Sequence, residues 1–189
     1  MAPNPTIDRA AALRQAMRTL VARHGLHGAS MSAIAKEAGV AQGTAYVHYQ
    51  SKEELLLAAY LELKREMGVA ACGDVDRTTT PHDRFIQVWL GVYEFLAEEP
   101  ERAQFMMQLE SSPYARVAHE TGMAVADDPM MAEAAALGEA NVLAPLDLDA
   151  LYDLAFLPAI RRAATAATGA NATIPTAIAE ACWRAITTG

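Results

Sequence analysis

Cysteine is scarce in this chain, with two residues, Cys72 and Cys182, among 189. Their spacing matches no metal-ligand pattern, so each is expected to be a small buried or half-buried thiol, with a redox role as the alternative. Long apolar runs are missing too: charges or prolines interrupt every candidate, so no membrane span and no membrane partner are expected. The opening segment MAPNPTIDRA lacks the apolar core of a secretion signal, and a cytoplasmic location is the expectation. There is no strand-like alternation of useful length and no internal repeat beyond the helical period. A glycine-rich phosphate loop, a nucleophile elbow and a metal-spaced His/Cys/Asp group are all absent. The expectation is therefore a chain that is not an enzyme, with no catalytic residue, no cofactor and no metal.

What is present is concentrated in residues 30–57, SMSAIAKEAGVAQGTAYVHYQSKEELLL. Ser30 can cap a short helix by accepting a bond from a free backbone N–H. Ile34, Ala35 and Ala38 then fall at helical spacing, and Gly39 supplies the positive φ of a helix end. A second helix runs from about Ala41 to His48, and Ser51 with Glu54 forms a capping box that starts a third. Helix, glycine turn, helix is the pattern whose second helix enters the DNA major groove. That second helix carries Gln42, Thr44, Tyr46 and His48, all able to hydrogen-bond, and Gly43, whose bare backbone permits close approach. Gln42 and Thr44 suit base edges. Tyr46, Tyr49 and Lys52 suit phosphates, Lys52 lying in the first turn of a helix where anions are favoured. Ser32 completes the predicted DNA-contacting set. Tyr49 has an equal claim to the core, and His48 to a structural hydrogen bond.

The run Ile34, Ala35, Ala38, Gly39, Val40, Gly43, Thr44, Tyr46, His48, Tyr49, Ser51, Lys52, Glu53 and Leu55 resembles the signature of the TetR family of bacterial transcriptional regulators. The resemblance covers about the first third of the chain. Two positions depart from it: Ala41, where the family usually places a capping Ser or Thr, and Ala45, where a larger apolar residue is common. The resemblance implies a homodimer joined through a four-helix bundle of the last two helices, and an effector site among the middle helices.

Charge is unevenly distributed. Residues 1–52 hold six basic and two acidic residues, and residues 53–189 hold nine basic and twenty-one acidic ones, within a net charge of −8. A basic segment beside an acidic remainder points to a polyanion at the basic end. The remaining pattern is helical throughout. A first helix is predicted from Thr6 to His24, one from Lys52 to about Met67, and others over 82–98, from Pro100, from Pro113 to about Val125, over 129–142, over 148–168 and over 175–187. The predicted fold is all-α, about nine helices. Residues 1–52 form a three-helix helix-turn-helix head, helix 52–67 links it to the body, and residues 68–189 form a larger helical bundle for ligand binding and dimerisation.

Methionines 106, 107, 123, 130 and 131 fall in the middle helices near several aromatics. Met suits an adaptable apolar pocket as well as ordinary core filling. The predicted pocket comprises Phe85, Trp89, Tyr93, Phe105, Met106, Tyr114 and Met123, with Glu110 and His119 as polar groups. The function predicted is a sequence-specific DNA-binding regulator, a repressor released by a small, largely apolar effector. Its partners would be an inverted-repeat operator in double-stranded DNA, a second copy of itself and the unknown effector. A helical ligand-binding or interaction module without DNA binding is the alternative, and an enzyme the more distant one.

Overall fold

The structure, a computed structural model, describes residues 8–166 and 175–188. Among them are ten helices: α1 (Arg9–Gly28), α2 (Met31–Glu37), α3 (Gln42–His48), α4 (Lys52–Cys72), α5 (Pro81–Glu98), α6 (Pro100–Glu110), α7 (Ala115–Met123), α8 (Pro129–Glu139), α9 (Leu148–Ala164) and α10 (Pro175–Ile186). The expected helix start at Thr6, and the expected helix end at Thr168, lie outside the described residues. Strand-like pairing among the described residues is a single antiparallel bridge between Leu143 and Thr187.

Short polar side chains set the helix starts. Asp8, Ser30, Ser51, Thr80, Asp128 and Asp147 each accept from a backbone N–H in the first turn of the helix that follows. At Ser51 the first half of the box is made, Ser51 Oγ accepting from Glu54 N–H at 3.1 Å, while Glu54 Oε2 reaches back one residue further and accepts from Gln50 N–H at 2.7 Å. Pro81, Pro100 and Pro129 open α5, α6 and α8, where a missing N–H costs nothing. Gly25 was expected to end the first helix. It does so: at φ 69° it leaves helical geometry, and a short second helical stretch to Gly28 follows across the kink.

The central element is α4. Leu55, Leu56, Ala59, Tyr60, Leu63, Met67, Gly68, Ala71 and Cys72 are all buried, and α1, α5, α7 and α8 pack around it. One hydrophobic cluster runs without interruption from Leu13 and Ile34 in the N-terminal helices to Ile160 and Ile186 in the last two. Trp89 is fully buried between α5 and α9, and its indole N–H donates to the Ala155 carbonyl at 2.8 Å. The two free cysteines, Cys72 and Cys182, are buried. Burial, with Glu133 adding, pushes the Cys72 thiol up to about 11, and burial raises Cys182 as well, so neither carries the thiolate that redox chemistry needs.

The closest approach of α4 and α5 is at Gly91. A Cβ there would lie 2.8 Å from the Ala71 Cα, so the neighbour is backbone that cannot turn aside. Gly91→Ala is expected to force the two helices apart and destabilise the protein by about 1–3 kcal/mol, read from urea unfolding midpoints. Adding Ala71→Gly should not restore stability, because the collision is with the main chain.

Candidate nucleic-acid interface and ligand cavity

The turn between α2 and α3 follows from four residues. Ala38 caps α2, Gly39 takes φ 68°, and the Gly39 and Val40 N–H groups return to the carbonyls of Lys36 and Ala35 at 3.1 and 2.9 Å, a Schellman closure. This turns the chain so that α3 leaves with most of its surface outward. Ala45 is its one buried residue. The small side chain at position 45 therefore sets how close α3 sits to its neighbours. Ala41 has cap geometry, φ −67° and ψ 144°, but supplies no side-chain cap bond.

Gln42, Gly43, Tyr46 and His48 are exposed and Thr44 is half-buried. A Cβ on Gly43 would meet nothing within 4 Å. In a helix glycine costs about 0.8–1.0 kcal/mol relative to alanine, and no intramolecular contact requires it here. Val47, which was not predicted, is 82% exposed, one helical turn from Gly43 on the same face. That i, i+4 spacing was the signal available in the sequence. Ser32 is exposed, with its Oγ 3.2 Å from that of Ser30. Tyr49 takes the core placement that was one of its two readings, and Lys52 is engaged within the protein. Tyr49 is 7% exposed and its hydroxyl accepts from Arg14 at 2.8 Å, because it packs in the core behind α3. Lys52 is half-buried and donates to the Leu26 carbonyl, tying the start of α4 to the end of α1.

The basic charge of the N-terminal segment is largely spent inside the molecule. Arg14 pairs with Glu62 at 2.6 Å, Arg18 with Glu66 at 3.0 Å and Arg23 with Glu101 at 2.8 Å. These bonds fasten α1 to α4 and α6. The predicted face-to-polyanion role of the asymmetry is therefore narrowed to the residues outside these pairs, among them exposed Arg9 and Lys36.

A second feature lies in the body. A cavity of about 110 Å³ is lined by α4 (Tyr60, Lys64, Met67), α5 (Arg84, Phe85, Val88), α7 (His119, Met123), α8 (Met130, Met131, Glu133, Ala134, Leu137), α9 (Leu148, Asp149, Leu151, Tyr152, Ala155, Phe156), α10 (Ile186) and Leu143 before α9. Its surface is overwhelmingly apolar. Of the predicted pocket, Phe85, His119 and Met123 line it. Trp89, Phe105 and Met106 lie instead in the solid core, 0–1% exposed, and Tyr93 stacks on Trp89 at 6.1 Å. Glu110 stands one bond behind the wall, its carboxylate 2.8 Å from His119 Nε2. Tyr114 donates to Glu53 at 3.1 Å, outside the cavity. Tyr60 and Tyr152 were not predicted. Their helices were read as a linker and a dimer face, and nothing local marks a residue as facing a cavity built by six elements.

Ion pairs frame this cavity. Lys64 is bound to the Asp128 carboxylate and donates to the Gly122 carbonyl, and burial lowers its pKa. Arg84 pairs with Glu133. The His119 ring meets Tyr152 edge-on at 5.1 Å. Among the described residues no group of His, Cys, Asp or Glu is arranged to hold a metal ion, and no helix is long and apolar enough to cross a membrane.

A short outward helix behind a glycine turn, carried on a helical body, defines a helix-turn-helix protein. Residues 13–59 match the model of the tetR family of bacterial regulatory proteins. An uncharacterized HTH-type transcriptional regulator of Haemophilus influenzae is 34% identical over 106 residues, 56% of this chain and 57% of that one. A fatty acid metabolism regulator protein of Bacillus subtilis is 30% identical over 91 residues, 48% and 46% of the two chains. The chain thus spans about half the length of the curated relatives it matches. Over nearly the whole chain the structure resembles that of a TetR-family transcriptional regulator from Haemophilus influenzae, with TM-score 0.74, 29% identity, and 96% and 97% of the two chains covered. Residues 13–59 thus carry the N-terminal domain of the tetR family of bacterial regulatory proteins, and the chain as a whole resembles a TetR-family regulator in structure.

The His119–Glu110 pair makes a pH prediction. The hydrogen bond His119 donates to the Glu110 carboxylate, opposed by burial, raises His119 above the ordinary 6.5. The folded protein then holds this proton more tightly than the unfolded chain, so the pair's stabilisation is complete below about pH 6.5 and is lost as pH rises through the raised value. Relative to Glu110→Gln, the wild type should be more stable in mild acid, and the difference should shrink towards alkaline pH in denaturant titrations.

Proposed function

We propose that the protein is a homodimeric, sequence-specific DNA-binding transcriptional repressor, released when a small, largely apolar molecule fills the body cavity. The observation that carries the DNA reading is the outward face of α3. It bears Gln42, Thr44, Tyr46 and Val47 around a glycine with open space above it, and has Ala45 as its one anchor. Such a face has little to gain from the fold itself and suits base edges, a thymine methyl and a close phosphate. The domain reading is a head of residues 1–52, a linking helix and a ligand-binding and dimerisation body of residues 68–189.

The effector reading rests on the cavity. Its lining is almost wholly apolar, so an apolar occupant gains by leaving water and by the contacts it makes with the wall. A relative named for fatty acid metabolism agrees with an apolar effector. Tyr60, Lys64 and Met67 line the cavity from α4, the same helix whose first residues hold the helix-turn-helix. A ligand that prefers one setting of α4 changes DNA affinity by that preference, and operator DNA must weaken the ligand by the same factor. For dimerisation, Leu154 of α9 is 41% exposed, and Ala181 and Ala185 lie exposed one turn apart on α10, an apolar face suited to a two-fold contact.

Gly43→Ala separates fold from binding. It should leave the protein as stable or up to about 1 kcal/mol more stable, yet weaken operator binding in gel shifts. Gln42→Ala and Thr44→Ala should relax preference at particular base pairs by about 1–3 kcal/mol each, whereas Tyr46→Phe should weaken all sequences alike. Unchanged binding by Gly43→Ala together with unchanged base preference in Gln42→Ala would refute the DNA reading. Sedimentation at micromolar concentration should report a dimer, and a monomer there would refute that part of the proposal.

A further inference from the structure

The polar groups around the cavity differ in whether their hydrogen bonds are already spent. Each cation on the wall is neutralised by a carboxylate of the same chain: Lys64 by Asp128, Arg84 by Glu133, and His119 by Glu110. Asp149, also on the wall, adds a further negative charge. An anionic head entering here would meet no cation that is not already paired, and would pay desolvation without a counter-charge. A cationic head would find those three acids engaged, and would have to rely on Asp149, an exposed carboxylate where water competes for it.

Two groups are different. Tyr60 and Tyr152 both line the cavity, their hydroxyls make no hydrogen bond within the protein, and neither hydroxyl is sealed from the space beside it. Tyr60 is 2% exposed, so its phenol has little but the cavity to face. The two lie at one end of it. Tyr152 stands against the His119 ring, and Gly122 on α7 comes so close to Tyr60 that a Cβ there would lie 3.2 Å from the Tyr60 ring. The Glu110 carboxylate raises the pKa of both phenols, after the larger effect of burial, and Tyr60 adds to the rise at Tyr152. Both therefore stay protonated at neutral pH and are available as donors. A phenol O–H open to an apolar cavity can exchange water for a ligand acceptor, and the surrounding apolar wall strengthens that bond.

Resting on the reading of this cavity as the effector site, we infer that the effector is uncharged where it is enclosed, an apolar molecule whose single oxygen acceptor, the carbonyl of an ester, thioester, ketone or lactone, is held by Tyr60 and Tyr152. This separates an esterified acyl chain from the corresponding free acid. The polar pole lies where α4 meets α7 and α9, so the bond to Tyr60 is made directly to the helix that carries the head.

The test uses the full-length protein and three probes of similar length, methyl heptanoate, octanoate and octyltrimethylammonium, titrated calorimetrically at neutral pH. Methyl heptanoate should bind at least about ten-fold more tightly than either ion. Tyr60→Phe and Tyr152→Phe should each weaken it about three- to ten-fold, the worth of one hydrogen bond. Both variants keep the ring, so the melting temperature without ligand should not fall. Octanoate or the ammonium binding as tightly as the ester, or both phenylalanine variants binding the ester as the wild type does, overturns the neutral-acceptor assignment and leaves the cavity as a ligand site. Failure of all three probes to bind overturns the ligand-site reading and this inference with it.

Discussion

The burial of α4 on several sides is the constraint on which the rest of this molecule depends. Its first turn fastens to the end of α1 through Lys52, its middle carries the walls of the cavity, and its last turn is pressed against Gly91 of α5. A helix is stiff along its axis, because each residue is bonded to the turn before it. A helix held at three places in this way cannot adjust at one of them alone. Interior packing near crystal density leaves shifts of such an element discrete rather than gradual.

The ion pairs of α1 belong to the same arrangement. Arg14 and Arg18 reach Glu62 and Glu66 on α4, and Arg23 reaches Glu101 on α6. Exposed pairs of this kind are worth about 0–1 kcal/mol each. Their value lies in orientation: they set the rotation of α1, and through Tyr49 and Arg14 the position of the C-terminal end of α3. Composition had suggested a basic head meeting an outside polyanion. The geometry shows that much of this charge meets the acidic body instead, a difference that no count along the chain can reveal, because the partners are forty-eight to seventy-eight residues apart.

What was legible in the sequence was local. The caps at Ser30 and Ser51, the turn at Gly39 and the short polar α3 are each decided within about six residues, and the structure has them where the pattern put them. The helical period also exposed the core faces of α4 and α5, such as Leu63, Met67, Val88 and Val92. The cavity was not legible in that way. Trp89, Phe105 and Met106 have the residue types of a pocket but pack solid, while Tyr60 and Tyr152 read as ordinary helix positions and line the space. Whether a large side chain fills a gap or borders one depends on its neighbours in five other elements.

The two tryptophans give the molecule a built-in pair of optical signals. Trp89 is sealed in the core with its N–H bonded to a carbonyl, so its emission should be blue-shifted and report only whether the body is folded. Trp183 is half-buried, 5.5 Å from the cavity-wall ring of Phe85 and edge-on to His82 at 5.4 Å. Hydrogen bonds donated to the Glu180 and Asp83 carboxylates raise the His82 pKa, and an imidazolium quenches a neighbouring indole more than the neutral ring does. The red edge of the spectrum thus belongs to Trp183 and to the state of the cavity wall, and the blue edge belongs to Trp89. A single chain without any label can therefore distinguish loss of fold from a change beside the cavity.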